Sequence, residues 1–362
     1  MSLKVKDMSQ GPTALPPRSQ GRRPAGTGHN SEKKPKKPKK KRSALKVFFS
    51  LLVGLLLIAA GLVAYLYFKT SDAIGTIGLD ESQATEVPIS ESVKQKPVAF
   101  VLMGLDSREK GGSLNTDVMM VAAFNPVTKT ATVVSIPRDT YVEVDGYRGR
   151  KANRFYADFY TVARRDKDME QQAAELEGKK SVKDVMGKLF GIDVKYAGII
   201  NFKGFIDVVD KLGGVKVNVD MRMKYKDSAD GTDIDLHEGV QVLKGEDALD
   251  FVRYRKSNDG TNMSSDFDRN RRQSEVVGAI VDKMLSIGGI TKVGSVIDSV
   301  SSNISMDMPQ KEIKRMIDQY LSVRSNDIEF ISLEGKWRSP NVYVDEASLE
   351  KARSALQAKM AE

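Results

Sequence analysis

From Val47 to Phe68 the chain runs for twenty-two residues without a charge, VFFSLLVGLLLIAAGLVAYLYF. A helix of that length spans the roughly 30 Å hydrocarbon core of a bilayer. It closes on Tyr65, Tyr67 and Phe68, aromatic side chains suited to a membrane interface, and then on Lys69. A cleaved leader needs only about 7–15 apolar residues and a small-residue cleavage site. The run is therefore read as an uncleaved signal-anchor. Residues 1–46 hold fourteen Lys/Arg against two Asp/Glu, a net of +12, while the whole chain is +9, so everything after them sums to −3. The positive-inside rule then puts the tail in the cytoplasm and residues 69–362 outside. The expected topology is a single-pass cell-membrane protein with an extracytoplasmic folded domain.

The same charge count decides how the basic tract Lys33–Arg42 is read. Basic 5–8-mers attract phosphates of any kind, but this one is also needed for orientation, and anionic inner-leaflet lipid satisfies it at about 1 kcal/mol per residue near the surface. The tail is rich in Pro, Gly and Ser with few apolar residues before Ala44, so residues 1–46 are expected to be disordered. No nucleic-acid partner is expected. The chain has no Cys and only two His, His29 and His237. Thiol catalysis, thiolate metal sites and multi-histidine sites are excluded.

Residues 69–97 are polar and weakly periodic and read as a linker. The folded part, 98–362, opens with short apolar runs bounded by turn residues. Val98–Leu102, Val118–Phe124 and Thr130–Ile136 are expected strands, the last two a hairpin closed at Asn125-Pro126. Pro137 ends the third, because proline cannot donate to a ladder. Helical and extended patterns then alternate. Ser181–Asp184 resembles a capping box opening a helix that Gly191 closes. Val194–Ile200 is a strand, Phe202–Leu212 an amphipathic helix stopped by Gly213-Gly214, and Val215–Val219 a strand. Helices are expected over Glu246–Tyr254, Arg269–Leu285, from Pro309 to about Leu321, and Glu346–Met360, with a strand at Ile328–Leu333. The class is α/β: one layered domain with a mixed sheet and helices on both faces.

Arginines and aspartates are strung across this domain. Asp106 follows the first strand at its C-terminal end, where open α/β sheets place ligands. Asp117 opens the next strand. Two such carboxylates are enough for Mg²⁺, which fills its other positions with phosphate oxygens and water; a turn residue and a strand-end cap are the plain alternatives. Strand pairing brings Arg138 close to Asp117. Arg253 and Arg255 end a helix, where a cation also satisfies the helix dipole. Arg269 and Gln273 share one helical face in the first turns of the next, a place suited to phosphate. Arg271 and Arg272 cannot both share that face, and at least one is expected in solvent. The exported part is slightly acidic, so its positive charge is concentrated, as a specific anion site requires.

Taken together and in order, these segments resemble the LytR-CpsA-Psr (LCP) family. The matching residues are Gly104-Leu105-Asp106-Ser107-Arg108, Thr116-Asp117-Val118-Met119-Met120, Val134–Thr140, Leu212–Val215, Gly245–Leu249 with Arg253 and Arg255, and Asp266–Gln273. The resemblance covers roughly residues 97–285 and extends to the membrane topology. It implies a phosphotransferase that moves an anionic glycopolymer, such as a teichoic acid, from a polyprenyl-pyrophosphate lipid onto peptidoglycan. Asp106 and Asp117 would hold Mg²⁺, with Mn²⁺ the alternative ion, and with Arg138 they form the expected catalytic group. Arg138, Lys151, Arg253, Arg255, Arg269 and Gln273 would grip the pyrophosphate. The polyprenyl tail lies in an apolar tunnel in this family; its lining is not assignable from the sequence.

Three departures from the family pattern stand out. Asn115 replaces a common Arg two residues before the second Asp. Arg154-Phe155-Tyr156 replaces a small, glycine-rich continuation, which is expected to reshape the acceptor or donor side. Lys256–Ser265 is a longer loop than usual, expected to form a flexible rim. The same grip would serve a polyprenyl-pyrophosphate hydrolase using water, or a non-catalytic lipid-phosphate binder, and both remain alternatives. Transcriptional regulation finds no helix-turn-helix signal to rest on.

Overall fold

The computed structural model describes residues 74–80, 84–106, 114–228, 231–286 and 293–361. The tail 1–46, the expected membrane span 47–68 and residues 107–113 lie outside them. Among the described residues no helix is long and apolar enough to cross a membrane.

The central sheet has six strands: β1 (Val98–Leu105), β2 (Thr116–Asn125), β3 (Thr130–Ser135), β6 (Val194–Asn201), β11 (Ile304–Met306) and β12 (Ile328–Ser332). Their order is β11-β6-β1-β2-β3-β12. β1 pairs antiparallel to β2 and parallel to β6; β2 and β3 form the expected hairpin, and β12 lies parallel to β3. The sheet is therefore mixed.

Alternation along β1 and β2 explains the two covered faces, since successive side chains point to opposite sides. Ala99, Val101 and Met103 with Met119, Val121 and Ala123 enter one core. That core is completed by α1 (Phe155–Arg165), α2 (Gln171–Phe190) and α8 (Glu346–Ala361). Phe100, Met120 and Ala122 enter the other, with Ile313 of α7 (Gln310–Tyr320). A further core joins α3 (Phe202–Leu212), α4 (Gly245–Arg253) and α5 (Asp266–Leu285) to the small antiparallel pairs β7–β10 (Val215–Val219 with Gly239–Leu243) and β8–β9 (Met223–Asp227 with Thr232–Leu236). α6 (Val293–Val300) packs beside α3. Two more hairpins, β4–β5 (Tyr141–Val144 with Tyr147–Lys151) and β13–β14 (Gly335–Arg338 with Asn341–Val344), stand outside the main sheet.

Several expectations are corrected. Ser181 does not cap a helix; it lies inside α2, which already runs from Gln171, and its local Ser/Asp pattern is overridden by burial of Ala174, Val182 and Val185 on one side. The end was legible: Gly191 adopts φ 66°, the left-handed conformation glycine accepts most readily. The supposed linker 69–97 is in part packed: Ile74, Ile77 and Val93 are buried in the core containing Phe100. Three apolar anchors in a polar stretch are too few to register as periodicity. Finally, Phe155 and Tyr156 are 0% and 2% exposed in the core, so this departure builds α1 rather than altering a binding surface.

Candidate functional site

β3 ends at Ser135, and its register with β2 continues past the last ladder pair. Met120 faces Ser135 and Val121 faces Val134, so Asp117 comes opposite Arg138. Arg138 Nη1 donates to Asp117 Oδ1 at 2.6 Å. The turn Pro137–Thr140 is closed by the Thr140 N–H on the Pro137 carbonyl at 2.9 Å, and the Arg138 carbonyl accepts from Asn153 N–H at 3.0 Å. Arg138 is thus fixed by backbone at both ends of a sharp turn. Between β1 and β2 the register slips at Gly104/Leu105, a bulge that ends the ladder and releases Asp106 and Asn115 from it. Gly104 suits this close approach, since a Cβ would lie 3.1 Å from Val118 Cβ.

The second half of the site comes from α4 and α5. Arg253 closes α4, and its guanidinium carbon sits 4.6 Å from the centre of the Phe202 ring. Arg255 follows two residues on. α5 starts at Asp266, not Arg269, with Ser265 as cap in a full capping box with Asp268. Arg269 is 5% exposed and ion-pairs with Asp266; Gln273, one turn on, is 7% exposed. Arg255 is exposed, yet partial loss of solvent around its guanidinium, with Arg138 nearby, lowers its pKa. Burial, with Arg255 and Arg138 adding repulsion, brings Arg269 down to about 10 in spite of Asp266. It remains a cation at neutral pH, held in a place that disfavours cations. Its Nε is buried without a hydrogen-bond partner, as is Asn153 Oδ1.

These side chains meet at one cavity of about 590 Å³. Asp106, Asn115, Asp117, Arg138, Asn153, Arg253, Arg255, Lys256, Arg269 and Gln273 form its polar lining; Leu102, Met120, Phe202, Phe205, Ile234, Leu249, Val252, Val276 and Val277 form apolar wall. The apolar wall is the part sequence reasoning could not assign. It runs between the core around Phe100 and that around Val217, and its residues come from six separate elements, so no local pattern marks it.

Lys151 is placed differently from expectation. It is not on the cavity wall; its Nζ is 2.9 Å from Asp139 Oδ1, and Asp139 Oδ2 is 3.6 Å from Arg138 Nε. The Lys256–Ser265 loop is tied down rather than free. Asn258 exchanges hydrogen bonds with the Lys226 backbone at 2.6 and 2.8 Å, and Ser257 N–H reaches the Thr261 carbonyl at 3.0 Å. Of the other two arginines, Arg271 is exposed as expected for one of them, whereas Arg272 is 1% exposed.

Among the described residues no cluster of three or more metal-ligating side chains exists. Asp106 and Asp117 on one cavity wall suit Mg²⁺, which needs only one or two protein carboxylates. They do not suit an ion that requires an all-protein cage.

The profile of the LytR_cpsA_psr family matches residues 63–361. The chain belongs to this family. It is 31% identical over 337 residues to the polyisoprenyl-teichoic acid–peptidoglycan teichoic acid transferase TagT of Bacillus subtilis, covering 88% of this chain and 96% of TagT. It is 30% identical over 275 residues to TagU of the same species, covering 75% and 80%. The crystal structure of B. subtilis TagV superposes with a TM-score of 0.56 at 26% identity, over 74% of this chain and 98% of TagV. TagT bound to LI-WTA superposes with a TM-score of 0.54 at 26% identity, over 75% and 96%. Like these LCP structures, the chain carries a mixed sheet with helices.

Proposed function

We propose that this LCP protein is a membrane-anchored extracytoplasmic phosphotransferase that moves an anionic glycopolymer from a polyprenyl-pyrophosphate lipid onto peptidoglycan. One observation carries the reading: Arg269, buried with a donor that no protein group takes, stands with Arg138 and Arg255 at the polar part of a cavity whose remaining walls are apolar. A pyrophosphate joined to a long hydrocarbon has that same division. The names of TagT and TagU, which are transferases of polyisoprenyl-linked teichoic acid to peptidoglycan, support it.

In this reading the polyprenyl chain lies along Phe202, Phe205, Leu249 and Val276. Arg138, Arg255 and Arg269 hold the pyrophosphate, and Arg253 and Gln273 complete the grip. An acceptor sugar hydroxyl attacks the phosphorus next to the glycan. The bond from that phosphorus to the bridging oxygen breaks, polyprenyl phosphate leaves, and the hydroxyl proton passes to a base or to solvent. Phosphoryl transfer asks mainly for positioning and charge stabilisation, which fixed guanidinium groups supply as charge moves onto the leaving phosphate. Asp106 and Asp117 would hold a Mg²⁺ ion, whose charge offsets that of the pyrophosphate. Asp117 already accepts from Arg138, so the pair also sets the position of that arginine.

The test uses the full chain in detergent with a polyprenyl-pyrophosphate oligosaccharide, peptidoglycan fragments and Mg²⁺, read by mass spectrometry. A glycan–phosphate–peptidoglycan product, lost in Asp117→Ala and Arg138→Ala, is expected. Release of lipid phosphate without conjugate would replace transfer by hydrolysis, and tight lipid binding with no turnover would remove the enzyme reading.

A further inference from the structure

Beyond the cavity, the polar chain Asp117–Arg138–Asp139–Lys151 ends on an exposed aromatic ring. Lys151 Nζ lies 5.7 Å from the centre of the Trp337 ring while it pairs with Asp139. Trp337 is the only tryptophan of the chain and is 54% exposed. A lone exposed apolar side chain is ordinary, but Trp337 does not stand alone. Tyr343, on the same β13–β14 hairpin, is 40% exposed. Its ring stands 5.7 Å from that of Tyr141 on β4, with the Arg338 guanidinium carbon 5.7 Å from its centre.

This surface is fixed to the transfer site by backbone. Val342 N–H donates to the Asp139 carbonyl at 2.9 Å, and Thr140 bridges Val342 in parallel pairing. The turn that aims Arg138 into the cavity therefore also carries the hairpin. On the neighbouring strand Gly149 leaves room for the Tyr141 ring: a Cβ there would fall 2.1 Å from its hydroxyl oxygen. Aromatic and cationic side chains are thus linked through Asp139 to Arg138, which lines the polar part of the cavity.

We propose that Trp337, with Lys151 behind it and Tyr343 and Arg338 alongside, is the docking surface for the acceptor glycan strand. The inference rests on the transferase reading and names its acceptor subsite. The apolar C–H face of a pyranose ring stacks on an exposed indole, as Trp and Tyr present large rigid faces at low entropic cost. Lys151 and Arg338 supply donors for the carboxylates of a peptidoglycan strand. Trp and Lys also populate membrane interfaces, but here the ring is coupled to Asp139 and Arg138 at the charged part of the site, not to its apolar walls.

Because Trp337 is the single tryptophan, its emission reports this surface alone. The full chain in bilayer nanodiscs is titrated with solubilised peptidoglycan glycan strands. Emission is expected to shift and saturate, and Trp337→Ala is expected to raise the acceptor KM about tenfold. Donor KM, and release of lipid phosphate at saturating acceptor, should stay within twofold, and Trp337→Phe should restore most of the acceptor KM. Silence of the emission towards glycan, or an unchanged acceptor KM in Trp337→Ala, overturns the proposal. So does quenching by brominated lipid without a glycan response, which assigns the ring to the membrane. If the wild type makes no conjugate at all, it is the transferase reading that fails, and the fluorescence arm still decides whether a glycan docks here.

Discussion

Arg269 and Arg272 sit three residues apart on α5, both buried, 5% and 1% exposed, and they have opposite fates. Arg272 is saturated. Its Nε and Nη2 donate to the two oxygens of Asp220 at 2.8 and 3.0 Å, Nη1 reaches the Tyr254 carbonyl at 3.4 Å, and the Phe251 and Tyr254 rings stand 5.7 and 5.8 Å away. Burial alone would raise the Asp220 pKa, yet the Arg272 hydrogen bonds and charge bring it below the ordinary carboxylate range. Arg269 has Asp266 but also two cations nearby, a buried Nε without a partner, and a lowered pKa. One arginine is saturated within the protein; the other keeps a buried donor that no protein group takes. A buried arginine is thus structural or functional according to what remains unpaired.

The largest effect expected from breaking this contrast is on stability. Arg272→Ala removes the buried partner of Asp220, leaving it only the exposed Arg271 at 2.8 Å, and should cost about 3 kcal/mol, read as a fall in thermal midpoint. Arg269→Ala should leave that midpoint nearly unchanged while lowering the transfer rate about 10²-fold or more, as loss of one fixed charge donor does. A smaller gain is expected from Asn115→Arg, which adds a cation on the cavity wall: donor KM should fall several-fold, measured at fixed acceptor. The smallest effect concerns another poorly compensated charge, Asp250 of α4, whose pKa burial pushes up to about 7 despite Arg253. Its folded pKa exceeds the unfolded value of about 3.9, so its contribution to stability is intact below pH 4 and is lost as pH rises towards 7. Asp250→Asn should therefore raise the thermal midpoint at pH 8 and have little effect at pH 4, as calorimetry at the two pH values would show.

The sequence exposed one of these arginines better than the other. Arg269 and Gln273 were legible from i,i+4 spacing near a helix start, and Arg138 opposite Asp117 followed from hairpin pairing. Arg272 was not distinguishable from Arg271, because its partner Asp220 lies 52 residues away on another element. The family resemblance implies that Lys151 joins the pyrophosphate grip, yet its charge is shared between Asp139 and Trp337, again through contacts distant in sequence. The sheet's central strands read clearly because both their faces are buried and their apolar runs are continuous. The outlying hairpins β4–β5 and β13–β14 did not, since their strands are short and half polar, with burial patterns that alternate weakly. The apolar cavity wall was hidden for a related reason: its residues look like ordinary core from every one of their helices and strands.

The central claim is that Arg138, Arg255 and Arg269 form a place for pyrophosphate that the protein does not fill by itself. The most direct test is the thermal midpoint of the full chain in detergent, with and without a short-chain polyprenyl pyrophosphate, for wild type, Arg269→Ala and Arg255→Ala. The account predicts a concentration-dependent rise for the wild type, as a ligand bound only by the folded state must give. It predicts a much smaller rise with the monophosphate, and almost none for either variant. An unchanged wild-type midpoint at saturating lipid, or an equal rise in Arg269→Ala, would contradict it.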